Sequence, residues 1–268
     1  MDRYVVIGNP VSHSLSPAIH AHFAAQRGDA LEYGTLLVPA GQFMSHAQRF
    51  FDEGGQGANV TLPFKVNAFH WAGARSARAE TAEAANFLAM RSGVVEADNT
   101  DGAGLVSDLT RNLGVPLRGK RILIVGAGGA ARGVIAPLLA EGPLHLVIAN
   151  RTLDRARELA RRFPSIEAVP IDAIPERGFD VVVNATSAST HGEPLPIPDR
   201  VFESAGIAYD LSYGPAARAF VQRALLLGSR ASDGLGMLVE QAAESYFLWR
   251  GRRPETARVL AELRSRSA

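Results

Sequence analysis

Arg121–Gly133, RILIVGAGGAARG, decides the fold. Arg121–Val125 is a short apolar run rich in β-branched residues and reads as a buried parallel strand. Gly126 ends it, Gly128 and Gly129 follow, and from Ala130 the chain is helix-forming to about Ala140. A strand, a glycine turn and a helix N-terminus in that order build a phosphate site. The glycines permit a tight turn and a close approach of backbone to pyrophosphate, and the free N–H groups of the helix end donate to it. The pattern is Gly126-x-Gly128-x-x-Ala131, with alanine in the third place. Ordinary strand-to-helix turns share such short patterns, so the sequence around it has to decide.

Leu144–Ala149 reads as the next strand. An NAD site places an acidic residue at its end, about 20 residues beyond the loop, to accept from the ribose hydroxyls. Here Asn150, Arg151 and Thr152 stand there, with Arg155 one helical turn further on. Two guanidinium groups in place of a carboxylate suit a 2′-phosphate, which a planar fork holds bidentately. NADP is therefore the expected cofactor. Asn150 or Thr152 also suits capping of the helix that follows, and the two roles are compatible.

The whole chain has 268 residues, enough for two domains. With 47% apolar residues and a net charge of +1, it has ample core and no electrostatic footprint for nucleic acid. There is no cysteine, which excludes disulfides, thiol nucleophiles and cysteine metal sites and fits a reducing compartment. No histidines stand at zinc-ligand spacing, so no metal is expected. The N-terminus lacks the apolar run of a signal peptide, and Arg132 interrupts the longest candidate span, so a cytoplasmic protein without membrane helices is expected.

On the N-terminal side, Tyr4–Ile7 reads as a strand ended by Gly8-Asn9-Pro10. Ser16 then suits a helix N-cap, with Pro17 at the first helical position. Ser14 and Ser16 make a capping loop or, alternatively, a small polar site for a carboxylate or a hydroxyl-rich ligand. Leu31–Val38 is a second strand, Gly41–Phe51 a helix, and Ala58–Leu62 a third strand leading into Pro63-Phe64-Lys65. A short strand over Asn86–Met90 forms a hairpin with Gly93–Glu96, and Asn99-Thr100-Asp101-Gly102 opens a helix over Gly104–Leu113, for which Asp101 suits the cap. Beyond the glycine loop, Ile166–Ile171, Phe179–Ala185 and Ile207–Leu211 read as strands, with Thr186-Ser187 at the end of the second. Strands alternating with helices predict a parallel α/β sheet. Pro137 conflicts with its helix and predicts a kink there. Met237–Arg250 is helical, and Arg253-Pro254 starts a last helix.

A ketone reduced by hydride from NADPH becomes an alkoxide and needs a proton donor near its oxygen. Lysine supplies one, and a neighbouring carboxylate holds the ammonium in place. Lys65 and Asp101 both lie at segment ends in the N-terminal half. Ser187 follows no nucleophile-elbow pattern, which argues against a serine hydrolase.

In order along the chain stand GNPVSHSLSP, ANVTLPFK, NTDG, GAGGAARG, NRT, VNATS, YDLSY and DGLGMLVEQA. In these motifs the sequence resembles the shikimate dehydrogenase family over nearly its whole length. The resemblance implies a two-domain α/β fold with a cleft between the domains. An N-terminal α/β substrate domain, residues 1–102 completed by helices over 236–268, joins a Rossmann-like NADP domain, 103–235, with hinges near 101–104 and 232–236. It implies reversible NADPH-dependent reduction of 3-dehydroshikimate to shikimate, on the route to aromatic amino acids, by a monomer or homodimer. Lys65 would transfer the proton and Asp101 would orient it. Ser14 and Ser16 would bind the substrate carboxylate with Tyr213 alongside. Thr61, Lys65, Asn86, Asp101 and Gln241 would contact the ring hydroxyls and the reacting oxygen. Gly126, Ala127, Gly128, Gly129 and Ala130 would cradle pyrophosphate, and Asn150, Arg151, Thr152 and Arg155 the 2′-phosphate. Thr186, Leu211 and Gly234 complete the expected cofactor set.

Two departures stand out. The family usually shows Gly-Ala-x-Asn-Thr where this chain has Glu83-Ala84-Ala85-Asn86-Phe87, a change expected to shift Asn86. Ser187–Gly192 lacks the early glycine that often follows the strand-end serine. Two alternatives remain at this point. One is an NAD-preferring quinate/shikimate dehydrogenase, which calls for an acidic residue nearer Arg151 than Asp154. The other is a dinucleotide-sensing protein without catalysis, which has no need of the Lys65 and Asp101 pair.

Overall fold

The computed structural model describes residues 1–267 apart from 176, 177, 187 and 189–194. The departure noted at Ser187 and at 189–192 lies outside the described residues. The chain forms two compact units, Met1–Gly104 with Leu238–Ala268, and Leu105–Met237. The chain passes between them after 104 and 237, where the sequence suggested 102 and 235.

The first unit opens with β1 (Asp2–Gly8), α1 (Ser16–Arg27), β2 (Leu31–Leu37), α2 (Phe43–Asp52) and β3 (Gly55–Val60). There follow α3 (Lys65–Trp71), β4 (Ala74–Arg75), α4 (Ala77–Ala82), β5 (Phe87–Arg91) and β6 (Val94–Asp98). The strands form one six-stranded sheet in the order β2-β1-β3-β5-β6-β4. It is mixed: β1 runs parallel to β2 and β3, and β5 antiparallel to β3 and to β6, the last pair being the hairpin expected from the sequence. Ser92 and Gly93, joining β5 to β6, have φ of 49° and 84°. Two consecutive positive φ values make a tight hairpin turn that returns the chain antiparallel. On one face an aromatic core of Phe43, Phe50, Phe51, Phe64 and Phe69 closes over the sheet.

Ser16 is the first residue of α1 rather than its cap, and the residue before it, Leu15, makes no side-chain cap bond. The Ser14 hydroxyl instead accepts from the Ser16 N–H at 3.3 Å. The first orphan donor of the helix is thus met from two residues upstream.

α5 (Asp101–Ser107) continues into a widened turn over Asp108–Asn112, closed by the Leu113 N–H donating to the Asp108 carbonyl at 2.9 Å. The second unit then runs β7 (Arg121–Val125), α6 (Gly129–Ala140), β8 (His145–Asn150), α7 (Leu153–Arg162), β9 (Ile166–Pro170) and β10 (Val181–Asn184). α8 (Asp199–Ser204), β11 (Ile207–Asp210), α9 (Arg218–Leu226) and β12 (Arg230–Ser232) complete it. All six strands are parallel, in the order β12-β11-β10-β7-β8-β9. The order reverses between β7 and its neighbour β10, the place where open α/β sheets gather ligands. α6 runs through Pro137 without a break. The proline falls in the last turn, so it removes one ladder bond, and the residue four before it is Gly133, whose missing side chain eases the crowding.

α10 (Leu235–Arg250) and α11 (Ala257–Ser267) end the chain, the latter starting later than Arg253-Pro254 suggested. Trp249 of α10 lies against Gly57 of β3, where an added Cβ would stand 2.3 Å from the indole Nε1. That nitrogen donates to the Leu88 carbonyl at 3.0 Å. Glycine at 57 is thus what lets the C-terminal helix lie on the sheet of the first unit.

Candidate active site

In the first unit, the ends of β1 and β3 bring two loops together. The Asn9 N–H donates to the Leu62 carbonyl at 2.9 Å, and a Cβ on Gly8 would stand 2.4 Å from the Thr61 methyl. This places the Gly8-Asn9 turn, which leads into the Ser14–Ser16 loop, beside Thr61 and Leu62. Lys65 is the first residue of α3, and Asp101 the first of α5. Lys65 Nζ donates to Asp101 Oδ2 at 2.5 Å, with both side chains largely withdrawn from solvent. The other oxygen, Asp101 Oδ1, accepts from Asn86 Nδ2 at 2.9 Å. Asn86 Nδ2 also reaches Gln241 Oε1 at 3.1 Å and Thr100 Oγ1 at 2.9 Å. Four of the expected residues, from α3, the turn before β5, α5 and α10, therefore form one buried polar cluster.

Asn86 is held despite the unusual residues around it. Glu83 takes the left-handed conformation, φ 45°, at the end of α4, where glycine is the easy choice. The Asn86 N–H donates to Asp98, its carbonyl accepts from Val60 at 2.8 Å, and its side-chain oxygen accepts from the Thr100 N–H at 2.7 Å. Phe87 stacks on Trp249 with centroids 5.1 Å apart. The shift expected from the Glu83 and Phe87 departures is thus opposed from four sides, and Asn86 still reaches Asp101.

Behind this cluster lies a layer that the sequence reading did not single out. Asn59, inside the ANVTLPFK motif, donates to the Asn86 carbonyl and to Ser245 Oγ, and accepts from the Tyr33 hydroxyl at 2.8 Å. Burial pushes the Tyr33 phenol well above its usual pKa, so it remains a donor. His20 stacks on Tyr33 with centroids 4.2 Å apart, and burial lowers its pKa to about 3. Four residues on from Gln241, Ser245 lies one turn along the same helix face, the one signal that was available.

In the second unit, Gly126 has φ 114°, and a Cβ there would stand 2.9 Å from the Ala185 carbonyl. Only glycine lets β7 end this close to β10. Beyond its chain neighbours, Gly128 has no atom of the described residues within 4 Å of an added Cβ, and the N-terminus of α6 carries neither a side-chain cap nor an acidic residue in its first turn. Open space over bare helix donors fits a pyrophosphate. Arg151 and Arg155 are exposed and pair with no other described residue, while Asn150 Nδ2 donates to the Thr152 carbonyl at 2.8 Å. Thr152 precedes α7 without a side-chain cap bond, so its hydroxyl is not spent on the helix. The Thr186 hydroxyl donates to Asn184 Oδ1 at 2.8 Å, and Asn184 in turn to Asp210. Gly234 packs on Leu211, where a Cβ would meet the Leu211 carbonyl at 2.4 Å. Tyr213 belongs to this unit, half-buried beyond β11. Among the described residues no group of His, Asp and Glu is placed to hold a metal ion. No helix among them is long and apolar enough to cross a membrane.

The fold defines an α/β protein with a Rossmann-type dinucleotide unit and a second α/β unit, and comparison with known proteins narrows this. Residues 6–88 match the shikimate dehydrogenase substrate-binding domain, 108–192 shikimate/quinate 5-dehydrogenase, and 234–264 the shikimate 5′-dehydrogenase C-terminal domain. A shikimate dehydrogenase (NADP+) of Janthinobacterium sp. (strain Marseille) is 52% identical over 99% of this chain and 98% of its own. That of Hahella chejuensis is 52% identical over 98% and 99%. Among solved structures, an Ael1 enzyme from Pseudomonas putida is 44% identical, with TM-score 0.91 and 98% of each chain covered. Shikimate 5-dehydrogenase from Thermus thermophilus, solved with NADP(H) and shikimate, is 32% identical, with TM-score 0.88 over the whole of both chains. The chain belongs to the shikimate dehydrogenase family.

Proposed function

We propose that the protein catalyses the reversible NADPH-dependent reduction of 3-dehydroshikimate to shikimate. The observation that carries this is the buried Lys65–Asp101 pair at 2.5 Å, held by Asn86 and Gln241, in a chain whose relatives are NADP-dependent shikimate dehydrogenases. The Lys65 ammonium gives its proton to the substrate oxygen as the carbonyl becomes an alkoxide, and in the reverse direction the amine takes the hydroxyl proton. Asp101 holds Nζ in place through one oxygen while Asn86 holds the other, so the carboxylate cannot swing away from the lysine. Asn86, Gln241 and Thr61 present amide and hydroxyl groups to the ring hydroxyls, and Ser14 and Ser16 to the carboxylate. NADPH, when bound, supplies the hydride. Gly126, Ala127, Gly128, Gly129 and Ala130 hold its pyrophosphate, and Arg151 and Arg155, with Asn150 and Thr152, its 2′-phosphate. Thr186, Leu211 and Gly234 complete the cofactor site. A chain without cysteine suits the reducing cytoplasm, where the protein acts as a monomer or homodimer.

The test is absorbance at the nicotinamide band, with shikimate or quinate as substrate and NADP+ or NAD+ as acceptor. Fast turnover confined to shikimate with NADP+ is expected. Comparable turnover with quinate or NAD+ would replace this reading by a quinate/shikimate dehydrogenase, and no turnover with any pair would leave a dinucleotide sensor.

A further inference from the structure

We infer that Ser245 is a positioning residue for the reaction, setting Asn86 and through it the Asp101 carboxylate. The inference rests on the proposed function. Ser245 is fully buried on α10 and reaches Asn86 by two separate routes. Along the first, Asn59 Nδ2 donates to Ser245 Oγ at 2.9 Å and to the Asn86 backbone carbonyl at 3.2 Å. Along the second, Ser245 Oγ lies 3.2 Å from Thr100 Oγ1, and Thr100 Oγ1 accepts from Asn86 Nδ2 at 2.9 Å.

Counting hydrogens fixes the direction of the chain. Ser245 has one, and its shortest acceptor is the Gln241 carbonyl one turn back, at 3.0 Å. Both lone pairs of its oxygen are then left to accept, one from Asn59 and one from the Thr100 hydroxyl. Once the Thr100 hydrogen points to Ser245, the Thr100 lone pairs face the Asn86 amide. That amide must present nitrogen, not oxygen, to Asp101 Oδ1, since two oxygens there would repel. The Thr100 N–H fixes the same orientation from the other end, donating to Asn86 Oδ1 at 2.7 Å. Without the serine hydroxyl, the Thr100 hydrogen turns to Gln241 Oε1 or Asn86 Oδ1, 3.3 and 3.2 Å away. Asn59 keeps only its bonds to the Asn86 carbonyl and to Tyr33. Asn86 loosens at backbone and side chain together, and with it the carboxylate that holds Lys65.

Ser245→Ala suits a helix interior, so the fold is expected to persist. Loss of a neutral hydrogen bond predicts a shikimate KM raised about three- to tenfold. The KM for NADP+ should stay within about twofold, and the thermal midpoint should fall by a few degrees, since Asn59 is left with a buried N–H unmet. Ser245→Cys, close in shape but a weaker hydrogen-bonding partner, should fall between wild type and Ser245→Ala. An unchanged shikimate KM in Ser245→Ala would overturn the inference, and so would equal losses for shikimate and NADP+. A wild-type protein that turns over no shikimate would overturn the proposed function instead.

Discussion

The Lys65 cluster and the Arg151–Arg155 pair are both polar sites at segment ends, built in opposite ways. Around Lys65 the polar groups already hold one another: the ammonium bonds Asp101, the carboxylate Asn86, and the amide Thr100 and Gln241. At Arg151 and Arg155 the guanidinium groups stand in solvent and pair with no other described residue. A group that moves a proton has to be fixed before substrate arrives, because misplacement enters the barrier directly. A group that only holds a phosphate is free to order on binding, since its geometry is recovered from the ligand.

Replacing Lys65 tests the first half of that contrast most severely. Lys65→Ala is expected to lower kcat for shikimate oxidation about 10²–10⁴-fold, with NADP+ affinity, measured by fluorescence titration, unchanged. Wild-type turnover in that variant would remove the proposed mechanism. Arg151→Ala probes the second half. It should weaken NADPH binding by about tenfold to a hundredfold, the worth of a charge-assisted bond, and leave NADH nearly untouched. Equal losses for both cofactors would mean that Arg151 does not read the 2′-phosphate.

The third test asks how far the engaged region resists protonation, and at neutral pH it changes least. His20 is buried beside Tyr33, and its pKa is lowered to about 3 from 6.5. The unfolded chain therefore binds more protons between those values, so stability rises with pH across the window and is lost as pH falls through it. His20→Phe, which keeps a flat ring against Tyr33, should flatten the acid limb of a denaturation midpoint against pH. A limb that matched wild type would show that other groups set it.

What was legible in the sequence follows the same division. The glycine loop and the Asn-Arg-Thr segment are local: a strand, a turn and a helix start within a few residues, and φ 114° at Gly126 is a demand that a glycine announces. Lys65 and Asp101 were singled out from segment ends and from motifs, but nothing local says that they meet. The layer behind them was not legible, because Tyr33, Asn59, Thr100 and Ser245 come from four places in the chain and are polar residues of ordinary kind. The β5–β6 hairpin was legible from its two short strands and Gly93, but the antiparallel pairing of β5 with β3 was not, since nothing local says which strand the hairpin joins. The left-handed Ser92 that turns the hairpin is a residue that seldom announces such a φ.

The first unit is interrupted: residues 1–104 are completed by 238–268, with the whole second unit between them in the sequence. During synthesis, Lys65, Asn86 and Asp101 leave the ribosome long before Gln241 and Ser245. A nascent chain holding only the earlier segment has the lysine and its carboxylate but neither the amide nor the hydroxyl that α10 brings to Asn86. Release of the last helices is thus the event that completes the cluster, and a prematurely terminated chain with an intact glycine loop still carries half a site.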